Sequence, residues 1–160
     1  MQIGGSGERG MLPEIFVTTH DAVRLSRVLD MFADPSYAPI TSFLVNELRR
    51  AAVVAPQSVD PDVVTMNARV WFRLDDEEEP REATLVWPGR GDSFLGRISV
   101  LTPVGSALIG MREGGTFAWR GFDGRQRRVA VLKVLYQPEA NGLDLGDAKP
   151  DVVKSGCLSG

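Results

Sequence analysis

Apolar and polar positions change their period along this chain, and the changes divide it into parts. The segment EIFVTT (14–19) reads as a short extended entry. Beyond it Val23, Leu25, Val28, Leu29 and Phe32 supply apolar residues at helical intervals, with Arg24 and Arg27 off the stripe. Thr18 or Thr19 can cap this helix, and Asp21 suits its positive end. Asp34-Pro35 ends it, because a residue before proline avoids the helical region. After the tight connection PSYAP (35–39), Pro39 fits the first turn of a second helix, and Ile40, Phe43, Leu44, Leu48 and Ala51 continue at helical spacing. Two short amphipathic helices joined by five residues predict an antiparallel hairpin. At about 1.5 Å per residue, arms of roughly 12–16 residues reach only ~18–24 Å, so the hairpin must lean on the domain that comes after it.

A polar, proline-marked linker, APQSVDPD (55–62), leads from the hairpin into strand-like alternation. VTMNARVWFRL (64–74) runs into the acidic block DDEEE (75–79), which turns the chain as a solvated hairpin tip, and REATLVWP (81–88) returns. PGRGDSFLG (88–96) is a loop and RISVLT (97–102) a further strand. PVGSALIG (103–110) reads as one or two helical turns, with Pro103 at the first position. GTFAWRG (115–121) and RRVAVLKVLYQ (127–137) form a last hairpin around Asp123-Gly124. A mostly antiparallel sheet with one short helix packed on it is an α+β domain. The expected organisation is a flexible leader (1–13), a helical hairpin (14–54), a linker (55–62), a folded domain (63–140) and a disordered tail (141–160).

Composition removes several kinds of chemistry. The 160 residues include one histidine, His20, and one cysteine, Cys157. An intramolecular disulfide and a His/Cys metal cluster are therefore excluded, and His20 reads as an exposed residue of a first helical turn. No signal peptide and no apolar run long enough to span a membrane occurs, so the expectation is a cytoplasmic protein that needs no cofactor. The net charge of -3 gives no general excess of positive charge for nucleic acid. Arg125, Arg127 and Arg128 could touch phosphate, though a solvated turn explains them as well. Phosphate-loop, dinucleotide-fold and zinc-protease motifs are absent.

Three blocks carry a family resemblance: Asp62-Val63-Val64-Thr65-Met66-Asn67-Ala68-Arg69-Val70, Pro103-Val104-Gly105-Ser106-Ala107-Leu108-Ile109-Gly110 and Tyr136-Gln137-Pro138-Glu139-Ala140. Together, in this order, they resemble the C-terminal domain of the bacterial Gre transcript-cleavage factors, in a likeness running from about residue 14 to 141. The resemblance implies a short N-terminal coiled-coil hairpin and a C-terminal domain of the FKBP-like fold. It implies a partner, bacterial RNA polymerase, engaged near the rim of its secondary channel, with nucleic acid close by only within that complex. The polymerase-gripping surface of Gre factors is the strand-to-proline corner, which maps here to Leu101, Thr102 and Pro103, with Ser99 and Val104 beside them. The Gre pattern has Gly-Asp where this chain has Gly114-Gly115.

Gre factors hold two carboxylates at the hairpin tip, spaced D-x-x-E, to help bind a metal ion in the polymerase active site. Here Asp34 is followed at the third place by Tyr37, with no second acid in the loop. The expectation is a non-enzymatic factor that occupies polymerase, competes with cleavage factors and does not stimulate cleavage. Two other readings stand beside it. A peptidyl-prolyl isomerase would need an aromatic-lined pocket, for which Trp71, Phe72, Trp87, Phe117 and Trp119 are the candidates, and a general interaction module would act on another target.

Overall fold

The computed structural model describes residues 12–121 and 123–142. Cys157 and nearly all of the expected leader and tail lie outside them. The chain runs β1 (Phe16–Thr18), α1 (Thr19–Met31), a 3₁₀ turn (Pro35–Tyr37), α2 (Ala38–Arg50), β2 (Ala52–Val54), β3 (Arg69–Leu74), β4 (Arg81–Val86), β5 (Arg97–Ser99), α3 (Pro103–Leu108), β6 (Thr116–Arg120) and β7 (Gln126–Tyr136).

Local chemistry sets the helix ends. Thr18 is extended, and its hydroxyl accepts the N–H of Asp21 at 3.0 Å, satisfying one of the free donors of the first turn of α1. At the tip, Asp34 Oδ1 accepts both the N–H and the hydroxyl of Ser36, each at 2.8 Å, and so caps the 3₁₀ turn. Pro39 sits at the start of α2, where no N–H is needed, and Arg49 and Arg50 lie in its last turn. His20 is half-buried rather than exposed.

The two helices bring the chain back to its starting point. β2 then pairs parallel with β1, Phe16 opposite Ala52 and Thr18 opposite Val54. The second sheet has the order β5-β4-β3-β7-β6. Its β3–β4, β3–β7 and β6–β7 pairings are antiparallel, as expected. β5 differs: it lies parallel to β4, with Leu85 opposite Ile98, so the sheet is mixed. The connection of residues 87–96 carries the chain back along the sheet, and β5 re-enters with Arg97 opposite Thr84 and pairs with the second half of β4. The expected strand 64–74 is also shorter. Asn67 has a φ of +69°, in the left-handed region, and regular pairing starts only at Arg69.

One core joins helices and sheet. Leu25, Val28 and Leu44 from the helices pack in the same buried cluster as Val70, Phe72, Leu85, Leu108 and Val131. Phe43 of α2 approaches Phe117 and Trp119 of β6, with ring centroids 6.0 and 6.2 Å apart. At roughly 1.5–3 kcal/mol for each large apolar side chain buried, this shared cluster supplies what an isolated hairpin lacks.

The acidic block is more than a solvated tip. Asp75 pairs with Arg127 at 3.0 Å, Asp76 with Arg128 at 2.7 Å and Glu77 with Arg81 at 2.6 Å. The basic residues of β7 that could have touched phosphate are thus matched by the turn of the neighbouring hairpin. Among the described residues, no helix is long and apolar enough to cross a membrane.

Candidate functional site

The corner after β5 is knitted by its own polar groups. Leu101 N–H donates to Ser99 Oγ at 3.1 Å, and Thr102 N–H donates to the Ser99 carbonyl at 3.0 Å. The Thr102 hydroxyl donates to that same carbonyl at 2.7 Å and accepts the N–H of Gly105 at 3.1 Å, which makes Thr102 the N-cap of α3. Pro103 occupies the first helical position. The Ser106 hydroxyl, fully buried, donates to Val100 O at 2.7 Å. A Cβ on Gly105 would stand 2.1 Å from the Ser99 carbonyl oxygen, so only glycine lets α3 start this close to the strand.

The far end of the same block is equally constrained. Gly110 has a φ of +84°, and a Cβ there would meet Ile15 Cβ at 2.9 Å. Its carbonyl accepts Phe16 N–H at 3.0 Å and its N–H donates to Val64 O at 2.8 Å. The PVGSALIG block therefore ties β1, the 63–66 segment and the sheet together. Of the residues expected to form a docking surface, Thr102 is exposed, while Ser99, Leu101, Pro103 and Val104 are half-buried. Leu101 and Val104 also pack in part against the core. The structure brings all five onto one turn of chain. It also commits the polar groups of Ser99 and Thr102 to the turn itself.

The hairpin tip has a different character. Asp34 is fully exposed, and the Ser36 hydrogen bonds hold its carboxyl below the usual carboxylate range. Tyr37 turns inward far enough to meet Phe32 edge-on, with centroids 4.9 Å apart. The tip thus offers one capping acid and an aromatic pair. No group of three or more His, Cys, Asp or Glu side chains that could hold a metal ion occurs among the described residues.

A third polar centre was not anticipated. Asp21, read from sequence as a partner of the helix dipole, is buried, and its Oδ2 accepts the N–H of Met66 at 3.1 Å. Burial raises its pKa from 3.8 to about 6, with Glu139 raising it further and Met66 N–H, Arg24 and His20 working the other way. The Thr65 hydroxyl donates to Glu139 Oε1 at 2.7 Å, and Gln137 Nε2 donates to the carbonyls of Asp60 and Val63, each at 2.8 Å. The first and last signature blocks thus clasp each other and the foot of α1. The only hint in the sequence was that both blocks spend polar residues beside apolar ones.

The aromatic candidates fall in different places, with Trp119 stacked on Phe117 at a centroid distance of 6.1 Å. Phe72, Trp87 and Phe117 are buried in the core, whereas Trp71 is exposed at the other face of β3.

Comparison with known proteins identifies the family. The model of a family described as transcription elongation factor, GreA/GreB, C-terminal region, matches residues 58–136. The regulator of nucleoside diphosphate kinase from Escherichia coli (strain K12) is 40% identical over 132 residues, covering 81% of this chain and 95% of that protein. The chain belongs to the GreA/GreB family. Transcription elongation factor GreA from Chlorobaculum parvum is 46% identical over 72 residues, 44% of this chain and 45% of that protein. The solved structure of the prokaryotic transcription elongation factor GreA/GreB from Nitrosomonas europaea is similar with a TM-score of 0.62 at 38% identity, covering 77% of this chain and 100% of that one. None of these descriptions names a catalysed reaction.

Proposed function

We propose that this GreA/GreB family chain binds bacterial RNA polymerase at the rim of its secondary channel and regulates transcription without stimulating transcript cleavage. The single observation that carries this reading is the tip. Its one acid, Asp34, is engaged in capping the 3₁₀ turn through Ser36, and the third place after it is Tyr37, packed on Phe32. A tip of this kind can enter or block a channel, but it brings no pair of carboxylates to a metal ion.

Docking falls to the corner. The internal hydrogen bonds of Ser99, Thr102 and Gly105 hold the turn in one shape, so little conformational freedom is lost on binding. Leu101, Pro103 and Val104 provide the half-buried apolar surface and Thr102 the exposed rim. In this reading residues 14–54 act as a short coiled-coil hairpin, residues 55–62 as a linker and residues 63–140 as a Gre-type domain with FKBP-like architecture, in which α3 lies on the sheet.

The test is capture of core RNA polymerase by the parent chain and by Pro103→Asn, followed by transcript cleavage on a backtracked complex. Binding by the parent, loss of binding in the variant and no cleavage by either support the proposal. Cleavage above background would refute the reading of the tip.

A further inference from the structure

Helix α1 and the turn that succeeds β4 flank a cleft of about 400 Å³. Val28 from α1, Phe32 just past its end, and Trp87 and Pro88 from the turn give it apolar walls. Three guanidinium groups line the same cleft. Arg24 and Arg27 come from successive turns of α1, and Arg90 comes from the opposite lip. The turn is shaped to put Arg90 there. Its N–H donates to Trp87 O at 3.1 Å, and Gly89 takes the left-handed φ of +88° that a Pro-Gly turn needs at its third residue. Arg24 is held with its Cζ 5.1 Å from the centre of the Trp87 ring.

Two of the three cations at this cleft differ from the arginines elsewhere in their pairing. Arg50, Arg69, Arg81, Arg112, Arg127 and Arg128 all sit in ion pairs with carboxylates. Arg27 and Arg90 meet no carboxylate among the described residues. The acids nearest to them in sequence, Asp30 and Asp92, do not line the cleft.

We propose that this cleft binds a nucleoside polyphosphate, with the ring between the apolar walls and the phosphates on Arg24, Arg27 and Arg90. Arg27 and Arg90 on opposite lips, with Arg24 beside them, call for more than one negative charge within a short span. A polyphosphate provides that in one linear group, whereas an extended acidic peptide presents carboxylates to one side only at every second residue, roughly 6.6 Å apart. Guanidinium forks match phosphate oxygens in pairs, and a guanidinium plane also stacks on a nucleobase. The volume falls in the range of small-molecule sites, and the mostly apolar wall with a few convergent charges is their usual chemistry. Val100 N–H donates to Val86 O at 2.9 Å, so this cleft begins beside the corner, yet the assignment does not depend on polymerase docking.

Titration calorimetry of the full chain with ATP, with adenosine and with tripolyphosphate tests it. The expected result is one saturable site for ATP, about tenfold or more tighter than for either half-ligand. Arg27→Glu and Arg90→Glu should each weaken ATP about tenfold or more while melting like the parent. No heat with millimolar ATP, or tripolyphosphate binding as tightly as ATP, would overturn the proposal. These outcomes need only the parent chain. Unchanged ATP affinity in both variants would overturn it too.

Discussion

Replacing Asp21 by Asn should change how the stability of this protein depends on pH. Asp21 is buried at the foot of α1, with Met66 N–H on its Oδ2 and Glu139 close enough to disfavour its charge. Its pKa is raised from 3.8 to about 6. Between those values the folded chain keeps a proton that the unfolded chain has released. Stability from this group is therefore fully present below the lower value and is lost as pH rises through the upper one. At about 1.36 kcal/mol per pH unit, the loss across the window amounts to about 3 kcal/mol. Asparagine keeps an oxygen for Met66 N–H and has no charge to bury. Urea denaturation of both proteins from pH 4 to pH 8 gives the measurement. Asp21→Asn should gain on the parent steadily between pH 4 and pH 6.5, by up to about 3 kcal/mol, and then hold a constant difference. Ionisable groups remote from Asp21 contribute equally to both proteins and cancel in the comparison. Parallel stability curves would show that Asp21 titrates normally in the fold, and the account of the clasp would fail.

The packing leads to three further outcomes. Gly105→Ala forces a methyl group toward the Ser99 carbonyl, where it would lie at 2.1 Å, and should cost about 3 kcal/mol or more in denaturant unfolding. Leu44→Ala removes a fully buried side chain of α2, should cost about 2–5 kcal/mol, and should keep helix circular dichroism and tryptophan fluorescence melting together, because hairpin and sheet share one core. A double-mutant cycle on Asp75 and Arg127, both about one-third exposed, should give a coupling of about 0.5–1 kcal/mol that shrinks at high salt.

The two helices were legible because their apolar stripes and caps are local signals. Thr18, one of the two threonines the sequence offered, caps α1 and Pro39 starts α2, but α1 stops at Met31, short of the expected Asp34-Pro35 stop, and Pro35 opens a 3₁₀ turn instead. The β1–β2 pairing was not legible, since it joins two three-residue segments across the whole helical hairpin and has no period of its own. The parallel setting of β5 depends on the path of residues 87–96, and strand sequences of three residues do not encode direction. Asn67 ended the regular pairing through a left-handed backbone that an alternating pattern conceals. At the site, the PVGSALIG block could be singled out, but not the reason for it. Gly105 and Gly110 are needed for close approach of backbone, and Ser106 ties α3 to the strand, so much of the signature is structural. The clasp of Thr65, Glu139 and Gln137 was hidden because its partners lie more than seventy residues apart.

The most direct measurement of the central claim is binding of the full chain to core RNA polymerase, paired with transcript cleavage on a backtracked complex. The account predicts binding that Pro103→Asn abolishes while the fold persists, and cleavage no faster than polymerase alone. Failure of the parent chain to bind polymerase would contradict it, as would cleavage stimulated by a tip whose only acid is Asp34.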